Sequence, residues 1–323
     1  MEFEEGTIIK GKELKNYMLL KVLPENMVMQ GFQYRVGMNE YRGSSALDKS
    51  LETGFRFYFA KDFCRYLSDG TELTLVKIPD DEDVYVGQDW LSSHRLVIEK
   101  TFHLNEILSS PQSLETLILN GADITVNDNY AVKWAACGGY LQVVKYLHEH
   151  GADVTVENNA ALHYAAENGH LEVVKYLHEN GVDITACDNF AVRRAAGNGH
   201  LEVVKYLYEN GADITACYNE AVRFAARYGH LETVKYLHEN GADIMVWDNY
   251  TIRWAASKDH LEVVKYLHEN GADITAEDNA AVRWAAENGY LDMVKYLYEN
   301  GADITVRDGD AVRRAAEKVI WKW

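Results

Sequence analysis

The side chains that could do chemistry in this 323-residue chain fall into a few groups, each testable by its spacing. His170, His200, His230 and His260 recur every 30 residues, each directly before a Leu-Glu pair. Imidazoles are the commonest metal ligands, with bonds of about 2.1 Å. Helical units stack roughly 8–10 Å apart, so side chains one unit apart do not share one ion. These histidines read as turn and cap residues. A second column, His148, His178, His238 and His268, is interrupted by Tyr208 and Tyr298 and offers at most a pH-sensitive surface. Asp80–Asp83 is a run of four carboxylates without the alternating spacing of a calcium loop, and reads as a solvated loop.

Cys64, Cys137, Cys187 and Cys217 form no CxxC pair, and Cys187 and Cys217 lie one period apart, beyond disulfide reach. Reduced thiols fit an intracellular compartment. There is no phosphate loop and no GxSxG, and isolated Cys64, His94 and His103 make no catalytic pair. The expectation is no cofactor, no metal and no catalytic residue.

What positions these groups is a strict repeat. "LEVVKYLHEN" stands at 171 and 261, with near copies at 141, 201, 231 and 291, each followed by "GADIT" or a variant. In "GADITAEDNAAVRWAAENGYLDMVKYLYEN" (271–300), Val282, Ala285 and Ala286 share one helical face. Gly289 ends that helix; Leu291, Val294 and Leu297 mark a second, closed by Asn300-Gly301. A helix-turn-helix unit of this length buries its apolar face only against its neighbours, which predicts a mainly α solenoid. Full units begin near 127, 157, 187, 217, 247 and 277; half-units cover 105–126 and 307–323.

Residues 1–104 show no repeat. "FRFYFA" (55–60), "ELTLVKIP" (72–79), "DVYVG" and "RLVIEK" read as strands, with "KDFCRYLSDG" a short helix between the first two. A small α+β domain is expected here.

The repeat resembles the ankyrin repeat over roughly residues 105–318, carried by "AAxNGHLEVVKYLxENGAD". The family's usual unit has about 33 residues and opens its first helix with Thr-Pro-Leu-His. Here the tetrapeptide reads "YAVK", "AALH", "FAVR", "EAVR", "YTIR", "AAVR" or "DAVR", and the loop before it is three residues short, so truncated fingers are expected. This 30-residue variant is similar to ankyrin proteins of giant amoebal viruses. The resemblance implies a non-enzymatic scaffold that binds a partner protein, possible host proteins included, through the inner face of the array. It also leaves open an adaptor for host ubiquitin ligases, although no ligase-recruiting tail is present. An unrecognised activity in residues 1–104 and a drifting paralogue without a partner stay open as well.

Successive helical residues turn about 100°, which puts Trp284 about 200° from Val282, away from the core. Its column is Trp134, Tyr164, Arg194, Phe224, Trp254, Trp284 and Arg314. Large aromatics there suit either a partner-binding groove or the covering of a neighbouring helix, and both readings stand. Tyr250, Trp254 and Trp247 form the best local anchor. Variable positions flank the helix, among them Tyr130, Phe190 and Glu220 before it, and Glu167, Arg227 and Glu287 after it. Arg193, Arg223, Arg253, Arg283 and Arg313, with Lys133 and His163, could grip acidic partners; pairing with Asp188, Asp248, Asp278 and Asp308 is the preferred reading.

The net charge is −18, of which −13 belongs to residues 111–323. Such an array repels phosphate backbones and anionic membranes, so neither nucleic acid nor membrane is the expected partner. No apolar run approaches the ~20 residues needed to span a bilayer, and the acidic N-terminus is no signal peptide, which points to a soluble protein. The tail "KVIWKW" departs from the repeat and puts two tryptophans where a polar cap belongs. A single-base deletion in codons for Gly-His-Leu-Glu-Met-Val would produce it, so the tail is expected to be a frameshift product.

Overall fold

A computed structural model describes residues 3–29, 32–40, 55–59, 72–88, 90–103, 106, 109–120, 122–306, 309 and 313. The helix expected at 61–70 with Cys64, the positions Asp308 and Arg314, and the tail 318–323 lie outside them. The chain divides into two compact units, Met1–Ala135 with Tyr140–Val154, and Ala136–Gly139 with Thr155–Trp323.

Among the described residues the first unit contains ten short strands: β1 Ile8–Lys10, β2 Leu19–Leu23, β3 Val28–Met29, β4 Phe32–Gln33, β5 Gly37–Glu40, β6 Phe55–Phe59, β7 Glu72–Lys77, β8 Asp83–Val86, β9 Leu91–Ser93 and β10 Arg95–His103. Eight form one antiparallel sheet in the order β1-β8-β9-β6-β2-β7-β10-β5. β6, β7, β8 and β10 are the strands legible in the sequence. β2 is buried along its whole length, Lys21 included, whose Nζ donates to the Arg56 carbonyl at 2.6 Å. Its Leu19 and Leu23 share one core with Phe55, Phe57, Val76, Leu91, Leu96 and Ile98. Three carboxylates of the acidic run, Asp80, Asp81 and Asp83, are exposed as a solvated loop requires, and Glu82 is the exception. Glu82 is buried and accepts from the Arg95 Nε at 2.6 Å and from the backbone N–H groups of His94 and Arg95. Asp80 pairs with Lys15 at 2.7 Å, and Asp83 with Lys10 at 2.5 Å.

The helical pairs follow the 30-residue period. Helices at Pro111–Leu119, Val126–Cys137 and Leu141–Glu149 belong to the first unit; Val156–Glu167 to Leu291–Glu299 make up the second. Within each pair the cores are small-on-large: Val192, Ala195 and Ala196 of one helix and Val203, Val204 and Leu207 of the next are all but inaccessible. Alanines let neighbouring helices approach closely.

The missing three residues of each finger are replaced by a left-handed turn. Glu157, Asn158 and Asn159 all have positive φ, from 49° to 67°, and the same holds at Cys187–Asn189, Cys217–Asn219, Trp247–Asn249 and Glu277–Asn279. For residues with a Cβ this conformation costs about 1–2 kcal/mol each. Three sets of bonds offset it. The turn closes on itself, as Asn189 N–H donates to the Thr185 carbonyl at 2.8 Å. Its asparagine, a residue that tolerates this region, reaches the next unit: Oδ1 of Asn189, Asn219, Asn249 and Asn279 accepts the N–H of Asp213, Asp243, Asp273 and Asp303 at 2.8 Å.

The third set is the arginine ladder. Arg223 donates Nε and Nη2 to the carbonyls of Tyr218 and Cys217 at 3.0 Å, and Arg193, Arg253 and Arg283 do the same one unit before and one and two after. Arg193, Arg253 and Arg283 thus meet the expected residues Asp188, Asp248 and Asp278 at their main-chain carbonyls. Arg193 additionally pairs with Glu220. His163 occupies this column in one unit. Its ring lies 4.8 Å from Phe190 and its Nε2 is buried without a partner. Burial, with Arg193 and Arg194 nearby, holds its pKa down at about 4.

The turn histidines act across units. Nε2 of His200 bonds to the Glu167 carbonyl at 2.9 Å, and His170 to that of Cys137. Each ring lies on a glycine 31 residues earlier; a Cβ on Gly199 (φ 76°) would clash with the His230 ring, closest at its Nδ1. Where Asp259 replaces that glycine, position 290 is tyrosine instead of histidine.

Three outcomes follow. Gly199→Asp should destabilise by about 2 kcal/mol or more, and adding His230→Tyr should return about 1 kcal/mol, measured as a double-mutant cycle in urea. Arg223→Met should cost about 2 kcal/mol, since two carbonyls lose charged donors; a Tm equal to the parent's would refute the ladder's role. His163 binds its proton less readily folded than unfolded, so its contribution is complete above pH ~6.5 and is lost as pH falls towards 4. Tm against pH over that window should be shallower in His163→Gln.

Candidate partner-binding face

The outward column of the first helices is not uniform. In the first unit Trp134 stacks on Tyr140, with centroids 5.2 Å apart. In the second unit Tyr164 is 43% exposed, and Arg194 lies over Phe190 at 4.7 Å and within 3.8 Å of Glu167. Phe224 is half-buried, and a Cβ on Gly197 would meet it at 3.3 Å, so the glycine leaves room for the ring.

Beyond Phe224 the rings join. Trp247 meets Tyr250 at 5.7 Å, Tyr250 meets Trp254 at 5.6 Å, and Trp254 meets Trp284 at 6.0 Å. These separations and tilts suit the ring quadrupoles. Trp247 and Tyr250 come from the left-handed turn and helix start of one unit, and Trp284 from the next unit's helix. Tyr218, which the sequence did not single out, extends the row by lying 5.5 Å from Trp247. It is 69% exposed and Trp247 48%. The structure thus gathers Trp247, Tyr250, Trp254 and Trp284 into one row, leaves Tyr164, Arg194 and Phe224 as separate positions along the same column, and keeps Trp134 in the other unit.

Three guanidiniums interleave with the rings. Arg223 lies over Trp247 at 4.1 Å, Arg227 over Trp254 at 4.0 Å, and Arg253 at 5.6 Å from Tyr250 and 5.8 Å from Trp284. Burial pushes the Arg223 pKa below its ordinary value. Arg223 and Arg253 are committed to carbonyls of the turn, whereas Arg227 belongs to the variable column after the helix. Next to the row, Thr251 stands where the five other full units carry alanine, and its hydroxyl is buried without a partner. So is the indole N–H of Trp254.

This arrangement can bind apolar and planar groups and has no nucleophile-base pair. Among the described residues no group of three or more His, Cys, Asp or Glu could hold a metal ion. The turn histidines are held by carbonyls one unit away, and burial lowers the pKa of His230 and His260.

Comparison with known proteins accords with this geometry. Sequence profiles of ankyrin repeats match residues 107–188 and 222–308, and a further ankyrin-repeat profile matches 192–238. An uncharacterized protein, R869, of Acanthamoeba polyphaga mimivirus is 30% identical over 131 residues, 38% of this chain and 92% of that protein. The crystal structure of the human ASB11 ankyrin repeat domain superimposes with a TM-score of 0.51 at 23% identity, covering 58% of this chain and 92% of that one. With matched profiles over more than half its length, the chain belongs to the ankyrin-repeat family.

Proposed function

We propose that this protein is a non-enzymatic scaffold that binds a partner protein through the first-helix face of its repeats. Ankyrin repeats are protein-protein interaction modules in general. The observation that carries the particular reading is the row Trp247, Tyr250, Trp254 and Trp284, part-exposed at a face opposite the alanine core. Tyr164, Arg194 and Phe224 extend the same face, and Trp134 is its counterpart in the first unit. Rings locked by mutual contact and by stacked guanidiniums lose little freedom on binding, so a few of them give useful affinity. Residues 1–104 contribute a separate strand-rich domain in this reading.

Nucleic acid and membranes are not the partners in this reading, because the array carries most of the chain's negative charge. No helix among the described residues is long and apolar enough to cross a membrane. The free thiols Cys137, Cys187 and Cys217 support a reducing, intracellular setting.

The test is affinity capture from amoebal lysate with the full chain beside Trp254→Ala and Trp284→Ala, each checked by far-UV circular dichroism. Partners held by the parent should be lost from folded variants, each ring contributing about 2 kcal/mol. The same proteins retained by all three would defeat the proposal, and loss of helicity would place the rings in the core.

A further inference from the structure

Most cations of the second unit whose contacts are described have a partner within the chain. Lys175, Lys205, Lys235 and Lys265 pair with glutamates three residues earlier, and the arginine ladder binds carbonyls. Arg227 differs. Its guanidinium lies flat over Trp254 at 4.0 Å and 5.6 Å from Tyr228, while its Nε is buried without an acceptor. The indole N–H of Trp254 beneath it also lacks one. Two unmet donors at one place carry a desolvation cost that an incoming acceptor relieves.

The neighbourhood has a sign. In the column after the first helix Arg227 stands between Gly197 and Ser257, with Glu167 and Glu287 two units to either side and exposed Lys258 following Ser257. Arg227 is thus a cation set into a strongly acidic array. A stacked guanidinium keeps its in-plane edge for bidentate recognition of a carboxylate, which a small rotation about the ring would expose.

We propose that Arg227, seated on Trp254, is the anion-recognising centre of the face, and that it takes a carboxylate-bearing, apolar-flanked segment of the partner protein. The carboxylate meets the guanidinium, and the apolar flank lies on Trp254 and Trp284. This deepens the proposed function and rests on it. A nucleic-acid strand would satisfy the same guanidinium and rings, but its repeated phosphates would face the field of the whole array, whereas one or two carboxylates meet the local charge.

The probe is a fluorescein-labelled dodecapeptide of leucine and serine with two central glutamates, read by anisotropy on the full chain. The same peptide with glutamine at both of those positions and a twelve-nucleotide oligo(dT) serve as comparisons. The Glu peptide should bind about tenfold more tightly than the Gln peptide. Arg227→Gln should abolish that preference and flatten the salt dependence, while Arg227→Lys, lacking the planar fork, should keep part of it. Circular dichroism should be unchanged in both variants. Equal affinity for the two peptides, no binding of the Glu peptide, tighter binding of oligo(dT), or an unaffected Arg227→Gln would each overturn the proposal. If Trp254→Ala and Trp284→Ala lose captured partners while Arg227→Gln keeps them, only the acidic preference falls. If the tryptophan variants keep them too, the face itself is wrong.

Discussion

Three consecutive left-handed residues at the start of five successive units are the constraint on which the array depends. A period of 30 residues leaves no room for a longer finger, and an L-residue chain resists that conformation at every step. The cost is met by bonds that run in two directions. Asparagine carries the turn forward to the next unit, and arginine, four residues after it, clamps the carbonyls behind. The strain therefore becomes part of the stacking, because releasing one turn also releases a bond to its neighbour.

The same device shapes the face that could bind. Trp247 and Tyr218 stand on the left-handed turns, so their rings project where helical periodicity would not put them. The clamping arginines then find rings to cover: Arg223 serves the turn through its nitrogens and Trp247 through its flat face. One residue type satisfies the main chain and stiffens an aromatic surface. Arg227 keeps only the second of these contacts.

The sequence made the period, the helix pairs and four of the strands legible, because each rests on apolar spacing alone. β2 escaped notice: Leu19–Leu23 is buried on both faces, so it lacks alternation, and Lys21 interrupts its apolar run. Glu82 was misread for a related reason, since a carboxylate among carboxylates carries no mark of which one turns inward. The outward column of rings followed from 100° steps, but its contacts did not. Their geometry depends on positive φ at residues such as Trp247 and Asp248, and side chains other than asparagine give no hint of that. The acceptors of the arginines were hidden for the same cause.

The glycine beneath each turn histidine also governs how such a gene can change. Whole-unit duplications and losses preserve the match, since any copy offers a bare backbone to the imidazole of any other. Asp259 and Tyr290 break that interchangeability. A crossover that joined the unit containing Asp259 to one whose second helix is preceded by histidine would drive a side chain against the ring. The array is thus modular up to one seam, and recombination across that seam is penalised at the level of individual atoms.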